Sequence, residues 1–199
     1  MPHFDFFFST VSPFTYLGGL RAEEIAAAHG ATIAYKPLDI MALFARTGGV
    51  PPKDRHPSRQ EYRLQELARI ARKTGLSLNL KPAFWPANPA PSSYAFIAAE
   101  RAGGGDLGAL RFALGRACWA EEKNIAEDDV IRACLAEAGF DPDLATSGML
   151  EGAEIYTRNL EEAVTRGVFG APFFITDGDQ RFWGQDRIED LNLHLSGKL

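Results

Sequence analysis

Three short stretches hold residue types that could bind or activate a small molecule. In FDFFFSTVSPFTYLGG, residues 4–19, an apolar run gives way to Ser12 and Pro13, at what reads as the start of a helix. A helix start carries unpaired backbone N–H groups and a positive dipole end, so a hydroxyl placed there can help hold an anion such as a thiolate. The same pair also reads as a plain cap, with Ser accepting from the first turn and Pro filling its first position. In VFGAPFFI, Pro172 opens an apolar run. That is the place where a strand tolerates proline, at its first residue or in the cis form. In WGQDRIED, Gln185 and Asp186 open the last helical pattern. Their N–H groups could hold a carboxylate and Asp186 could pair with an amine, although an acid in a first turn also matches the helix dipole.

Other chemistries find little support. Cys118 and Cys134 are sixteen positions apart and fall in helical patterns, where they read as small buried residues rather than a disulfide framework. His3, His29, His56 and His194 are scattered, with no His or Cys three or four positions from any of them, so no metal site is signalled. A net charge of −5 offers no basic stripe for nucleic acid. The start, MPHFDFFFSTVSP, lacks a basic leader and its apolar run is short and broken by Asp5, which predicts a cytoplasmic protein with no membrane partner.

The elements that must position these residues follow from periodicity. Residues 4–9 predict a buried aromatic strand, and Pro13 to His29 one helix, with Phe14, Leu17 and Leu20 on its apolar face and Gly30 as its stop. ATIAYK predicts a second strand ending before Pro37. From Asp39 to about Gly167 the signals are helical. Ser58 with Glu61 reads as a capping box before YRLQELARIARKTG, SSYAFIAAERAGG stops at Gly103, and Asp106, Asp128 and Asp141 each read as a helix start. GAEIYTRNLEEAVTRG supplies another helix. PFFIT and QRFW then predict a hairpin around Asp177-Gly178, followed by a last helix.

The order is β-α-β, a long helical block, then β-β-α. The predicted fold class is therefore α/β, a thioredoxin-like domain formed by residues 1–38 and 168–199, with an all-helical insertion over 39–167. In that arrangement the start of the first helix is where a Cys-x-x-Cys pair would sit. Here the place reads SPFT, residues 12–15, which excludes dithiol exchange there. A cis proline would stand opposite it at Pro172, where the preceding backbone can pair with a peptide-like ligand.

With those stretches in place, the chain resembles the 2-hydroxychromene-2-carboxylate isomerases, relatives of the kappa-class glutathione transferases in the DsbA-like thioredoxin group. DFFFSTVSPFTYL, VFGAPFFI and FWGQDRIE carry the resemblance, which also takes in GLSLNLKPAFWPANPAPS and ACWAEEKNIAEDDVI. It implies glutathione as cofactor, with Ser12 hydrogen-bonded to its sulfur. It further implies that the Ala171 backbone pairs with its cysteinyl segment before a cis Pro172, that Gln185 and Asp186 hold its γ-glutamyl end, and that Arg59 meets its glycyl carboxylate. The implied substrate is a small aromatic carboxylate. Phe14, Trp85 and Asn88 are its candidate contacts, Trp85 reading equally well as core, while Trp119 reads as core. The resemblance also implies a homodimer. One position departs from the pattern: relatives often show TGN before prolines, whereas this chain has TGGVPP, so Gly49 replaces an amide near the sulfur. A kappa-like transferase and a non-catalytic glutathione-binding module are the competing expectations.

Overall fold

The computed structural model describes all 199 residues. Strands β1 (His3–Phe8), β2 (Thr32–Pro37), β3 (Phe173–Thr176) and β4 (Arg181–Trp183) form one sheet in the order β2-β1-β3-β4. β2 runs parallel to β1, which needs a crossover, and helices α1 (Pro13–Leu17) and α2 (Arg21–His29) provide it. β3 runs antiparallel to β1 and β4 antiparallel to β3, so a tight turn suffices between the last two. The middle of the chain is helical: α3 (Ile40–Thr47), α4 (Pro57–Thr74), α5 (Ala90–Ala102), α6 (Leu107–Trp119), α7 (Asp128–Glu137), α8 (Leu144–Ser147) and α9 (Met149–Thr165). Helix α10 (Ile188–Leu195) closes the fold. This is the expected thioredoxin-like α/β arrangement, and no strand lies between Pro37 and Phe173.

The Phe-rich run is continuous because β1 is covered on both faces. Phe4, Phe6 and Phe8 enter the main core with Phe174, Phe96 and Leu114. Phe7 points the other way, into a second cluster with Leu43, Ala163, Phe173 and Ile175. Asp5, the one charge in the run, lies on the Phe7 side. There it accepts from Arg166 Nη1 at 2.6 Å and stands 3.5 Å from Lys36 Nζ, so its burial is compensated. Helix α5 crosses beneath the sheet with Phe96, Ile97 and Ala99 buried. Helix α9 packs on it so closely that a Cβ at Gly152 would fall 2.7 Å from Tyr94 Cβ.

Several local expectations need correction. The single helix over 13–29 is two, broken at Gly18-Gly19, where Gly19 takes φ 59°. Leu20 is left on the surface rather than on an apolar face. Arg111 of α6 holds the break from beneath, donating to the carbonyls of Thr15 (3.3 Å) and Gly19 (2.6 Å) and pairing with Glu23 through two nitrogens at 3.0 Å. Helix α4 is capped by His56, whose Nδ1 accepts from the Ser58 N–H at 3.3 Å, so Ser58 belongs to the first turn. Asp141 caps no helix; its carboxylate accepts from the Asp143 N–H at 2.9 Å in a turn ahead of α8. Pro37 is inside β2, at its last position, where its carbonyl accepts from Asn159. The β3–β4 hairpin does form around Asp177-Gly178, with Asp179 in the left-handed region (φ 58°).

Candidate functional site

The Ser12 hydroxyl works in two directions. With extended backbone (φ −80°, ψ 121°) it caps α1, Oγ accepting from the Thr15 N–H at 3.2 Å. Its own proton goes across the fold to the carbonyl of Ala171, at 3.4 Å. That is long for an O–H···O bond, so a better acceptor placed nearby would win the proton. Ser12 is only 8% exposed and its hydroxyl has no other hydrogen-bond partner. It therefore lacks the neighbouring base that an activated serine nucleophile requires.

The Ala171–Pro172 peptide is cis. Its loop is tied to the next one, since the Pro172 carbonyl accepts from the Gly184 N–H at 2.9 Å. The Ala171 N–H makes no hydrogen bond. A half-buried donor left open beside a hydroxyl suits a ligand carbonyl better than a protein interior. Gln185 and Asp186 occupy a short 3₁₀ turn, Gln185–Arg187, ahead of α10 rather than within it. Gln185 packs near Gly18, where an added Cβ would lie 3.7 Å from its own. Asp186 is exposed, its carboxylate 3.7 Å from Arg187 and folded back over Gly184, whose φ of 102° and missing Cβ leave it room. Ser12, Ala171, Pro172 and Gln185 thus meet where α1 faces the β3 and β4 loops.

A second group lies along α4. Arg59 is exposed and without an ion pair. Phe14 and Trp85 are half-buried, and Arg63 lies between them, its guanidinium 6.0 Å from the Phe14 centroid and 5.4 Å from that of Trp85. Trp85 also leans on the fully buried Trp119 at 5.6 Å, so it is core on one face and open on the other. Asn88 is exposed and braces the entry to α5, its carbonyl oxygen accepting from the Ala90 N–H at 3.1 Å, which leaves its amide N–H groups free. At Gly49 a Cβ would sit 2.3 Å from Phe44 Cδ1: the Phe44 ring fills the space where a side chain would begin. Arg63 is the residue that sequence reasoning missed. The available signal was its four-residue spacing from Arg59 on one helix face.

Neither cysteine joins the site. Both are buried and free, and burial pushes the Cys118 thiol up to about 12 and the Cys134 thiol up to about 11. Near neutral pH such thiols hold their protons and are poor nucleophiles.

Residues 3–196 match the DSBA-like thioredoxin domain. The chain belongs to that family. Within it, the chain is 29% identical over 194 residues to the 2-hydroxychromene-2-carboxylate isomerase of Sphingobium xenophagum, covering 96% of each protein. It superposes with a TM-score of 0.78 on a solved 2-hydroxychromene-2-carboxylate isomerase, 24% identical, over 98% of this chain and 95% of that one. The cytosolic disulfide reductase DsbM of Pseudomonas aeruginosa, solved with GSH, superposes with a TM-score of 0.69 at 18% identity over 98% of each chain. These two likenesses are of fold. No helix of this DSBA-like chain is long and apolar enough to cross a membrane.

Proposed function

We propose that the chain is a glutathione-dependent isomerase that interconverts 2-hydroxychromene-2-carboxylate and trans-o-hydroxybenzylidenepyruvate, or a related aromatic carboxylate. The observation that carries this reading is the Ser12 hydroxyl facing the cis-Pro172 loop in a DSBA-like chain whose own thiols are buried in other helices. A thiol acting at this place must arrive with a ligand. The name of the Sphingobium relative supports isomerisation as the outcome.

The residues fit glutathione. The free Ala171 N–H and its carbonyl offer a short stretch of strand-like pairing to the cysteinyl segment. Asp186 offers a carboxylate to the γ-glutamyl amine with Gln185 beside it, and Arg59 offers a cation to the glycyl carboxylate. When bound, glutathione would supply a thiolate that adds to the conjugated substrate, permits ring opening and rotation, and leaves again. Ser12 keeps accepting from Thr15 while turning its proton from Ala171 to the sulfur, which favours the ionised thiol. Phe14 and Trp85 give a flat substrate aromatic faces to rest on.

Phe44 over Gly49 favours a second reading, in which glutathione is transferred to another electrophile, because a ring stands where relatives often carry an amide. One assay separates the two. The ultraviolet spectrum of 2-hydroxychromene-2-carboxylate is followed with the purified protein, with and without glutathione. Isomerisation predicts conversion that needs glutathione yet does not consume it. Consumption would identify the transferase, and no conversion by a glutathione-loaded protein would end the isomerase reading.

A further inference from the structure

We infer that Arg63 binds the carboxylate of the aromatic substrate and so selects anionic over neutral aromatics; this deepens the isomerase reading and rests on it. Arg63 is half-buried on α4, one turn beyond Arg59, with the Phe14 and Trp85 rings on either side. Phe14 lies in the first turn of α1, so this guanidinium packs against the same helix whose start Ser12 caps.

A guanidinium withdrawn from water among rings normally brings a carboxylate with it. Arg111, Arg116 and Arg166 do so: Arg111 pairs with Glu23, Arg116 with Glu121 and Glu137, and Arg166 with Asp5 and Glu162, whereas half-buried Arg55, close to Arg63, has only a carbonyl partner. Arg63 makes no hydrogen bond and no ion pair, and the acid that acts on it, Glu66, stays beyond pairing distance. Its near neighbours add like charge. Arg55 donates from Nε to the Val50 carbonyl at 2.8 Å and lies over Phe44, 5.9 Å from the ring centroid, while Arg59 stands next to Arg55. Burial lowers the pKa of Arg63, and Arg55 lowers it further; the charge of a bound anion would act in the opposite direction. In a chain of net charge −5, three guanidiniums without an ion pair make a local positive field that draws anions to the start of α4.

Two carboxylates could answer, that of the substrate and the glycyl end of glutathione. The surroundings favour the substrate. Arg59 is exposed and suits a flexible peptide end, whereas Arg63 is framed by rings. A flat ligand can stack on Phe14 or Trp85 while its carboxylate takes the planar fork of the guanidinium.

The test is calorimetry on the full chain with 2-naphthoate, its neutral analogue 2-naphthamide, and glutathione. None of these readings depends on turnover. The wild type should bind 2-naphthoate about tenfold or more tightly than 2-naphthamide, a difference of about 1.4 kcal/mol. Arg63→Gln should remove that preference and leave glutathione affinity within about twofold, and Arg63→Lys should keep part of it. Should Arg63→Gln not fold, the Lys variant decides, since only a charge contact leaves a reduced preference for the anion. A wild type that binds both ligands equally would overturn the inference. So would an Arg63→Gln protein that loses glutathione rather than 2-naphthoate. If the naphthoate preference holds while 2-hydroxychromene-2-carboxylate is not converted, the isomerase reading fails and the Arg63 site stands.

Discussion

Ser12 shows why residue type alone under-determines a role. Ser before Pro at a helix start is a cap wherever it occurs, and here Oγ does accept from Thr15. What lifts it above a cap is a proton aimed at Ala171, a residue far away in the chain. Ser12→Ala should lower turnover at least about tenfold, because one charge-assisted hydrogen bond to a thiolate is worth roughly 1.5–3 kcal/mol. Steady-state rates at saturating glutathione read this, and an unchanged rate would return Ser12 to capping. Asp186 is exposed and its only cationic neighbour is Arg187 at 3.7 Å, so little of the fold depends on it. Asp186→Ala should weaken glutathione binding about tenfold while leaving the thermal midpoint within a degree or two, the usual behaviour of surface changes. Calorimetry and a melting curve on the same sample check both halves. Arg63 was harder to see from sequence, since its neighbours Phe14 and Trp85 come from other segments.

At the scale of elements, the α1–α2 break is the feature that positions the site. It ends α1 after five residues, so Gly18 can approach the Gln185 turn. A helix pattern running from Pro13 to His29 hides it, because good helix formers resume after Gly18-Gly19. The buried pair that holds it is equally hidden, since Arg111 and Glu23 lie on separate helices. Arg111→Met should cost about 3–5 kcal/mol, because it leaves Glu23 unpaired and two carbonyls without donors. Adding Glu23→Gln should recover part of the loss, as urea titrations of the single and double variants would reveal. The loop after α3 gives a second test. Gly49→Asn, which supplies the amide that the family resemblance implies, drives Cβ into Phe44 and should cost about 1–3 kcal/mol. Shortening Phe44 to Ala in the same chain should relieve that crowding.

The whole molecule was the most legible level. The β-α-β and β-β-α patterns flanking a helical block predict the thioredoxin-like fold class, because parallel neighbours need a crossover and antiparallel neighbours need only a turn. Helix ends were less legible. His56 caps α4 with an imidazole nitrogen, a residue type outside the usual Ser, Thr, Asp and Asn set. Enclosure of the core also sets the response to pH. Burial at the end of α5 raises the Glu100 carboxyl above its ordinary value, with Lys36 partly offsetting. A carboxyl raised on folding contributes most when protonated, and that contribution is lost as pH climbs through the folded value. Glu100→Gln should therefore raise the thermal midpoint near pH 7 and bring no gain near pH 4, below the ordinary glutamate value of about 4.3. Melting curves at the two pH values decide it.

The central claim is that Ser12 and the cis-proline loop hold a ligand thiolate. Its most direct test is an ultraviolet thiolate titration of protein-bound glutathione, in the wild type and in Ser12→Ala. The account predicts a bound thiol pKa at least about one unit below that of a free thiol, near 8.5, and a rise toward that value in the variant. A bound thiol that titrates like free glutathione, or one whose pKa ignores the loss of the hydroxyl, would contradict it.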